Sequence, residues 1–145
     1  MIKIIFNVFK SMHPNLEISR SAIQRLECEL NKLYTKITRK VYKKEYLKPI
    51  RLYFPMNMSI NIVSNSNYNI IKLNDDEELD LVNNYQIIKN DLNCSDEFSI
   101  VVLSAIEYVC KEIFLNTSQR FSKRHIIMNI RNNEELNNLF KSLEN

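Results

Sequence analysis

The chain has no glycine, no tryptophan and only three prolines in 145 residues. Without glycine there can be no Gly-rich loop of the kind whose bare backbone closes around phosphates. Turns must be made by Asn, Asp and Ser, and a mainly helical protein is expected. Histidine is nearly missing as well, with two residues, and the three cysteines form no CxxC and have no histidine at a zinc-finger spacing. No metal site is expected. HExxH and a nucleophile elbow are likewise lacking, so no enzymatic activity, cofactor or small-molecule substrate is expected. Cys28 and Cys110 read as core or near-core residues and Cys94 as a loop thiol, which fits a reducing compartment. Met1 to Phe9 is apolar but short, lacks a small-residue cleavage site and meets Lys10 at once, so no signal peptide is expected. No apolar run approaches the roughly 18 residues of a membrane span.

Apolar residues make up 45% of the chain, ample for one compact domain or for two small ones sharing a core. The net charge of +3 hides a strong asymmetry. Residues 1–51 hold twelve Lys/Arg against four Asp/Glu, a balance of +8; the remainder holds eight against thirteen, or −5. The first half can neutralise phosphates and the second favours a basic partner.

Ile4, Ile5, Val8 and Phe9 predict a short amphipathic helix closed at His13-Pro14, because the residue before proline is pushed out of helical geometry. His13, with no clustered partners, reads as a structural helix-end residue. Ser19 or Ser21 then caps a long helix. Its apolar face runs through Ala22, Ile23, Leu26, Leu30, Leu33, Tyr34, Ile37 and Val41. Arg25, Glu29, Lys32, Lys36, Arg39 and Lys43 lie opposite, and the helix is expected to continue to Glu45 and break at Lys48-Pro49. Pro55 fits the first turn of a further helix, with Met56, Ile60 and Val63 as core candidates on a poor helix-forming sequence. Asn65 to Asn69 read as a polar linker, followed by acidic residues from Asp75 to Asp80. Leu79, Val82, Tyr85 and Ile88 predict another short helix.

Phe98 to Asn116 is apolar on almost every side, leaving a narrow polar edge of Ser104, Glu107, Lys111 and Glu112. Such a helix is buried among others. Beyond it, Arg120, Lys123, Arg124 and His125 gather positive charge ahead of two short helices. Ile126, Ile127 and Ile130 share a face of the first, which Asn132 is expected to end in a left-handed conformation. Glu134 and Glu135 sit in the first turn of the second, at the positive end of its dipole. Leu136, Leu139, Phe140 and Leu143 give that helix its buried stripe. The order short helix, long helix, short helix thus occurs twice.

Arg120-x-x-x-Arg124-His125 followed by Ile130-Arg131-Asn132-x-Glu134-Glu135-Leu136-Asn137-x-Leu139 resembles the third and C-terminal helices of histone 2A. The run Phe98 to Phe114, with Ala105-Ile106-Glu107-Tyr108 inside it, is similar to that histone's long central helix. Val8-Phe9-Lys10, His13-Pro14, Ile18-Ser19 and the helix to about Val41 resemble histone 2B. The matches cover residues 4–41 and 97–143, in the order of a fused doublet of the kind encoded by some large DNA viruses. The resemblance implies an all-α fold: two histone folds in one chain, paired as a handshake pseudo-heterodimer. Residues 1–64 would be the 2B-like fold, 65–80 a polar and acidic linker, and 81–145 the 2A-like fold with its C-terminal helix. The tails of ordinary histones are expected to be missing.

That resemblance also implies a function: packaging duplex DNA in a nucleosome-like particle with a histone 3/4-type partner, in a nucleus or viral factory and in the virion core. Contacts would go to phosphates and the minor groove without reading bases. Arg120 matches the arginine of histone 2A's second loop and Arg124 the one at the start of its third helix, beside Lys123. Ser19, Arg20 and Ser21 match the first loop and helix start of the 2B-like half; Lys48 and Arg51 fall at its second loop. Glu107, Glu112, Glu134 and Glu135 match an acidic patch that receives other chromatin proteins, while Leu115 and Asn133 stand where two further acids would be. Histone chaperones are candidate partners. The weakened patch implies that partners inserting an arginine there bind poorly or not at all. The missing tails, the net charge of only +3 and the lack of arginine in the second fold's first helix imply looser DNA wrapping. Rival readings are a histone-fold transcription or architectural factor and an acidic decoy for host histones or chaperones.

Overall fold

The computed structural model describes residues 1–42, 44–79, 82–115 and 120–144. Lys43, Asp80 and Asn116, named above in a helix face, an acidic run and a helix end, lie outside the described residues. The fold is mostly helical. In chain order the elements are α1 (Ile2–Met12), β1 (Glu17–Ile18), α2 (Arg20–Thr38), α3 (Lys48–Tyr53) and α4 (Met56–Asn74). They are followed by α5 (Val82–Leu92), α6 (Asp96–Phe114), β2 (Arg120–Phe121), α7 (Lys123–Asn132) and α8 (Glu134–Ser142).

Everything is arranged around α6, which packs against α1, α2, α4, α5 and α7. From Phe98 to Ile106 every residue is buried, including Ser104, expected on its polar edge. Each fully buried Phe, Ile or Val there contributes roughly 1.5–3 kcal/mol of transfer free energy. Buried residues of both halves merge into one hydrophobic cluster, from Ile4 to Phe140. The last carbonyls of α6 are satisfied by side chains from either half. Asn129 Nδ2 donates to the Ile113 carbonyl at 2.7 Å and His13 Nε2–H to the Phe114 carbonyl at 2.8 Å. A helix C-terminus leaves such carbonyls without intrahelical partners, so His13 has the structural role expected of it.

With no glycine available, Asp76 (φ 56°) and Asn93 (φ 48°) take the left-handed conformation after α4 and α5. Asn132 does not. α7 ends instead through Asn133, whose φ is −106° and whose side-chain oxygen accepts the Leu136 N–H at 3.1 Å. One residue thus closes α7 and caps α8.

The stretch after α2 departs most from expectation. α2 stops at Thr38, whose hydroxyl bonds back to the Tyr34 carbonyl at 2.6 Å, a local bond that competes with helix continuation. Tyr42 then packs on Phe98, ring centroids 6.3 Å apart, and Val41 is left exposed. Lys48-Pro49, expected to break a helix, opens α3 instead, because proline is tolerated where the N–H has no helical partner. α4 is nineteen residues long, and its buried stripe is Met58, Ile62, Ser66 and Ile70. Met56 and Ile60 face solvent, and Asn65–Asn69, expected as linker, lies mid-helix. Cys28 is exposed, unlike its core assignment, whereas Cys110 is buried.

Candidate nucleic-acid interface

Glu17 and Ile18 pair in parallel with Arg120 and Phe121, in register Glu17↔Arg120 and Ile18↔Phe121. The Ser19 N–H extends the ladder to the Phe121 carbonyl at 2.9 Å. Residues more than 100 positions apart are thereby fixed side by side, and with them the first turns of α2 and α7. Ser19 caps α2, its Oγ accepting the Ala22 N–H at 3.1 Å and lying 3.2 Å from Ser21 Oγ. Ser122 caps α7. The first-turn amides of a helix point outward with partial positive charge, so two helix starts and one strand pair share a surface.

Arg20, Ser21, Arg120, Lys123 and Arg124 are all exposed around this junction, and Ser19 is half-buried. Among the described residues none of these four cations is ion-paired. Elsewhere on the surface cations are often internally neutralised: Arg25 with Glu29 at 3.4 Å, Lys32 with Glu29 at 3.7 Å and Lys89 with Asp96 at 2.9 Å. Glu17, an exposed carboxylate in register with Arg120, was not anticipated. The alternation Leu16-Glu17-Ile18 carries that signal, though three residues are too few to call a strand.

A buried aromatic floor fixes the junction from below. Phe121 is fully buried, 5.0 Å from Phe114 in an edge-to-face arrangement and 6.0 Å from Phe9. His125 stacks at 5.7 Å, and its Nδ1 accepts the Ser122 N–H at 3.0 Å. His125 thus shapes the start of α7.

Lys48 and Arg51 are exposed but stand apart from the junction. They belong to α3, which packs on α2 and α4, with Lys36 of the last turn of α2 lying over the Tyr53 ring at 5.2 Å. The junction is at the other end of α2, whose nineteen residues span about 28 Å at 1.5 Å each. Lys48 is also paired with Glu45 at 3.6 Å.

The four glutamates do not share one environment. Glu112 and Glu135 lie near Tyr108: burial first, then these two carboxylates, raise its phenol above the ordinary range. Glu134 is exposed in the first turn of α8. Glu107 is half-buried and accepts from Asn84 Nδ2 at 3.4 Å, while the Asn84 oxygen accepts from Asn7 at 2.8 Å. Asn84 itself is fully buried, so Glu107 belongs to a polar chain that links α1, α5 and α6. Leu115 is exposed where the resemblance expects an acid.

No family model and no curated protein matches the chain. Among the described residues, no group of acidic, His or Cys side chains is arranged to hold a metal ion, and no helix is long and apolar enough to cross a membrane.

Proposed function

We propose that this chain is a histone doublet, a 2B-like fold followed by a 2A-like fold paired in a handshake, that packages duplex DNA with a histone 3/4-type partner. The observation that carries the reading is the parallel pairing of Glu17–Ile18 with Arg120–Phe121. It joins the first loop of one half to the second loop of the other, as a handshake of histone folds requires. It also gathers Ser19, Arg20, Ser21, Arg120, Lys123 and Arg124 at two helix starts. Exposed cations that form no ion pair among the described residues, beside helix starts, suit phosphate oxygens. Arg120, on the strand pair, suits a narrow minor groove, where negative potential is greatest. Lys48 and Arg51 would make a second, weaker contact near the far end of α2. In this reading the protein acts on chromatin in a nucleus or viral factory and in the virion core. Glu112, Glu134 and Glu135 form a reduced acidic patch, from which Glu107 is withdrawn, and histone chaperones are further partners.

The test is reconstitution with 3/4-type histones followed by micrococcal nuclease digestion. Wrapping gives a discrete protected length; an architectural factor that binds without wrapping gives none. One observation favours the decoy reading: Asp75, Asp76, Glu77 and Glu78 are all exposed after α4. A decoy would bind basic histones yet show no affinity for naked duplex.

A further inference from the structure

α4 is the least explained element of the fold. No charged residue lies between Arg51 and Lys72, so the surface of α4 is apolar or neutral up to its last turn, where Lys72 lies over the Tyr68 ring at 5.0 Å. The face turned from the core carries Met56, Ile60, Tyr68 and Ile71, respectively 78%, 61%, 58% and 60% exposed. At 100° per residue these four fall within about a third of the helix circumference, along some 22 Å of axis. Exposed Ser64 and Asn67 interrupt this face between Ile60 and Tyr68, yet four large apolar side chains so exposed on one side of a helix mark an interaction face. The helix ends in the four exposed carboxylates Asp75–Glu78.

One other surface of the same chain has the opposite character. On the outer side of α1, Ile2 and Phe6 are 47% and 44% exposed at i, i+4 spacing. Exposed Lys3 lies beside them, and Lys10 Nζ sits 5.8 Å from the centroid of the Phe6 ring. α1 belongs to the segment with a balance of +8, and α4 lies within the segment of −5. Apolar side chains flanked by lysines therefore face a matching problem: apolar side chains flanked by carboxylates.

We propose that α1 of one copy docks on α4 and the Asp75–Glu78 turn of the next, so that the protein associates with itself head to tail. Ile2 and Phe6 cover part of the Ile60–Ile71 stripe, and Lys3 and Lys10 approach the carboxylates. The contact is heterologous: each copy uses one surface and leaves the other open. It therefore propagates into a row or a ring and does not stop at a two-fold dimer. Burial of the apolar stripe supplies the non-directional part of the attraction. The charges fix polarity and make association weaken as salt rises. This association stands independently of DNA binding.

Sedimentation velocity of the full chain without DNA tests it, using Phe6→Glu to disable α1 and Ile60→Glu to disable α4. Both sites are solvent-facing, and circular dichroism melts report whether each variant keeps the fold; Phe6→Ser and Ile60→Ser replace any that does not. The wild type is expected to give species that grow with concentration and shrink with salt. Each variant alone should sediment as a monomer. An equimolar mixture of the two should give a dimer that grows no further, because only one intact α1 meets one intact α4. A wild type that stays monomeric at its highest attainable concentration would overturn the proposal, as would a mixture that stays monomeric. Self-association that survives Phe6→Glu but not Ile60→Glu would mean that α4 pairs with α4, and would overturn it equally.

Discussion

Phe121→Ala perturbs the point where the two halves of the chain meet. Phe121 is fully buried, and its backbone is half of the strand pair with Ile18. Truncating a buried Phe to Ala costs about 3–5 kcal/mol, from lost transfer energy and the cavity left behind. The upper part of that range is expected here. Phe114 at 5.0 Å and Phe9 at 6.0 Å both lose a ring partner, and such aromatic pairs contribute about 0.5–1.5 kcal/mol beyond area. His125 loses its stacking partner too. A domain of this size has on the order of 5–15 kcal/mol of total stability, so the variant should remain folded but melt far earlier. Urea denaturation followed by circular dichroism measures the change. Phe121→Leu, which keeps most of the volume, should lose about 1 kcal/mol. A loss below about 1 kcal/mol for Phe121→Ala would refute the claim that this ring anchors the junction.

Asn84→Ala should cost about 1–3 kcal/mol, because Asn7 and half-buried Glu107 lose their shared partner; an unchanged urea midpoint would show that the polar chain is idle. Asp96 is held below the ordinary carboxyl range, first by the Tyr85 hydroxyl at 2.6 Å and then by Lys89. Its contribution to stability is full above the unfolded-state pKa of about 3.9 and is lost as pH falls through the lower folded value. Wild type should therefore lose more stability than Tyr85→Phe on acidification below about pH 4, and parallel curves would remove Tyr85 from the account. Cys28 is exposed, while burial pushes the Cys110 thiol well up; a thiol reagent should label Cys28 at once and Cys110 only on unfolding.

The ends of the chain are far more legible in the sequence than its middle. α1, α2 and α6 are legible because each has one strong apolar period: Ile4-Ile5-Val8-Phe9, Ala22 to Ile37, and Phe98 to Phe114. α4 is not legible because Met56, Ile60, Met58 and Ile62 offer two apolar stripes of equal spacing. Only the tertiary position of α6 decides which of them is buried. Lys48-Pro49 is ambiguous for a related reason, since proline either ends a helix or opens one. Arg20, Arg120, Lys123 and Arg124 are visible as a basic set, yet the ladder that brings them together involves two residues on each strand, below any sequence signal. Glu107 looks like a surface acid until Asn84, an unremarkable polar residue in the sequence, is found fully buried beside it.

The central claim, that the paired loops grip DNA through phosphates and the minor groove, is tested most directly by comparing the salt dependence of duplex binding for wild type and Arg120→Ala. Log affinity plotted against log salt should be linear for both. The variant should bind more weakly to every sequence tried, with a slope smaller in magnitude by up to about one unit, one phosphate contact having been removed. Its melting temperature should be unchanged, because Arg120 is an exposed strand residue whose partner contacts are backbone. Equal affinity and equal slope for the two proteins would contradict the claim.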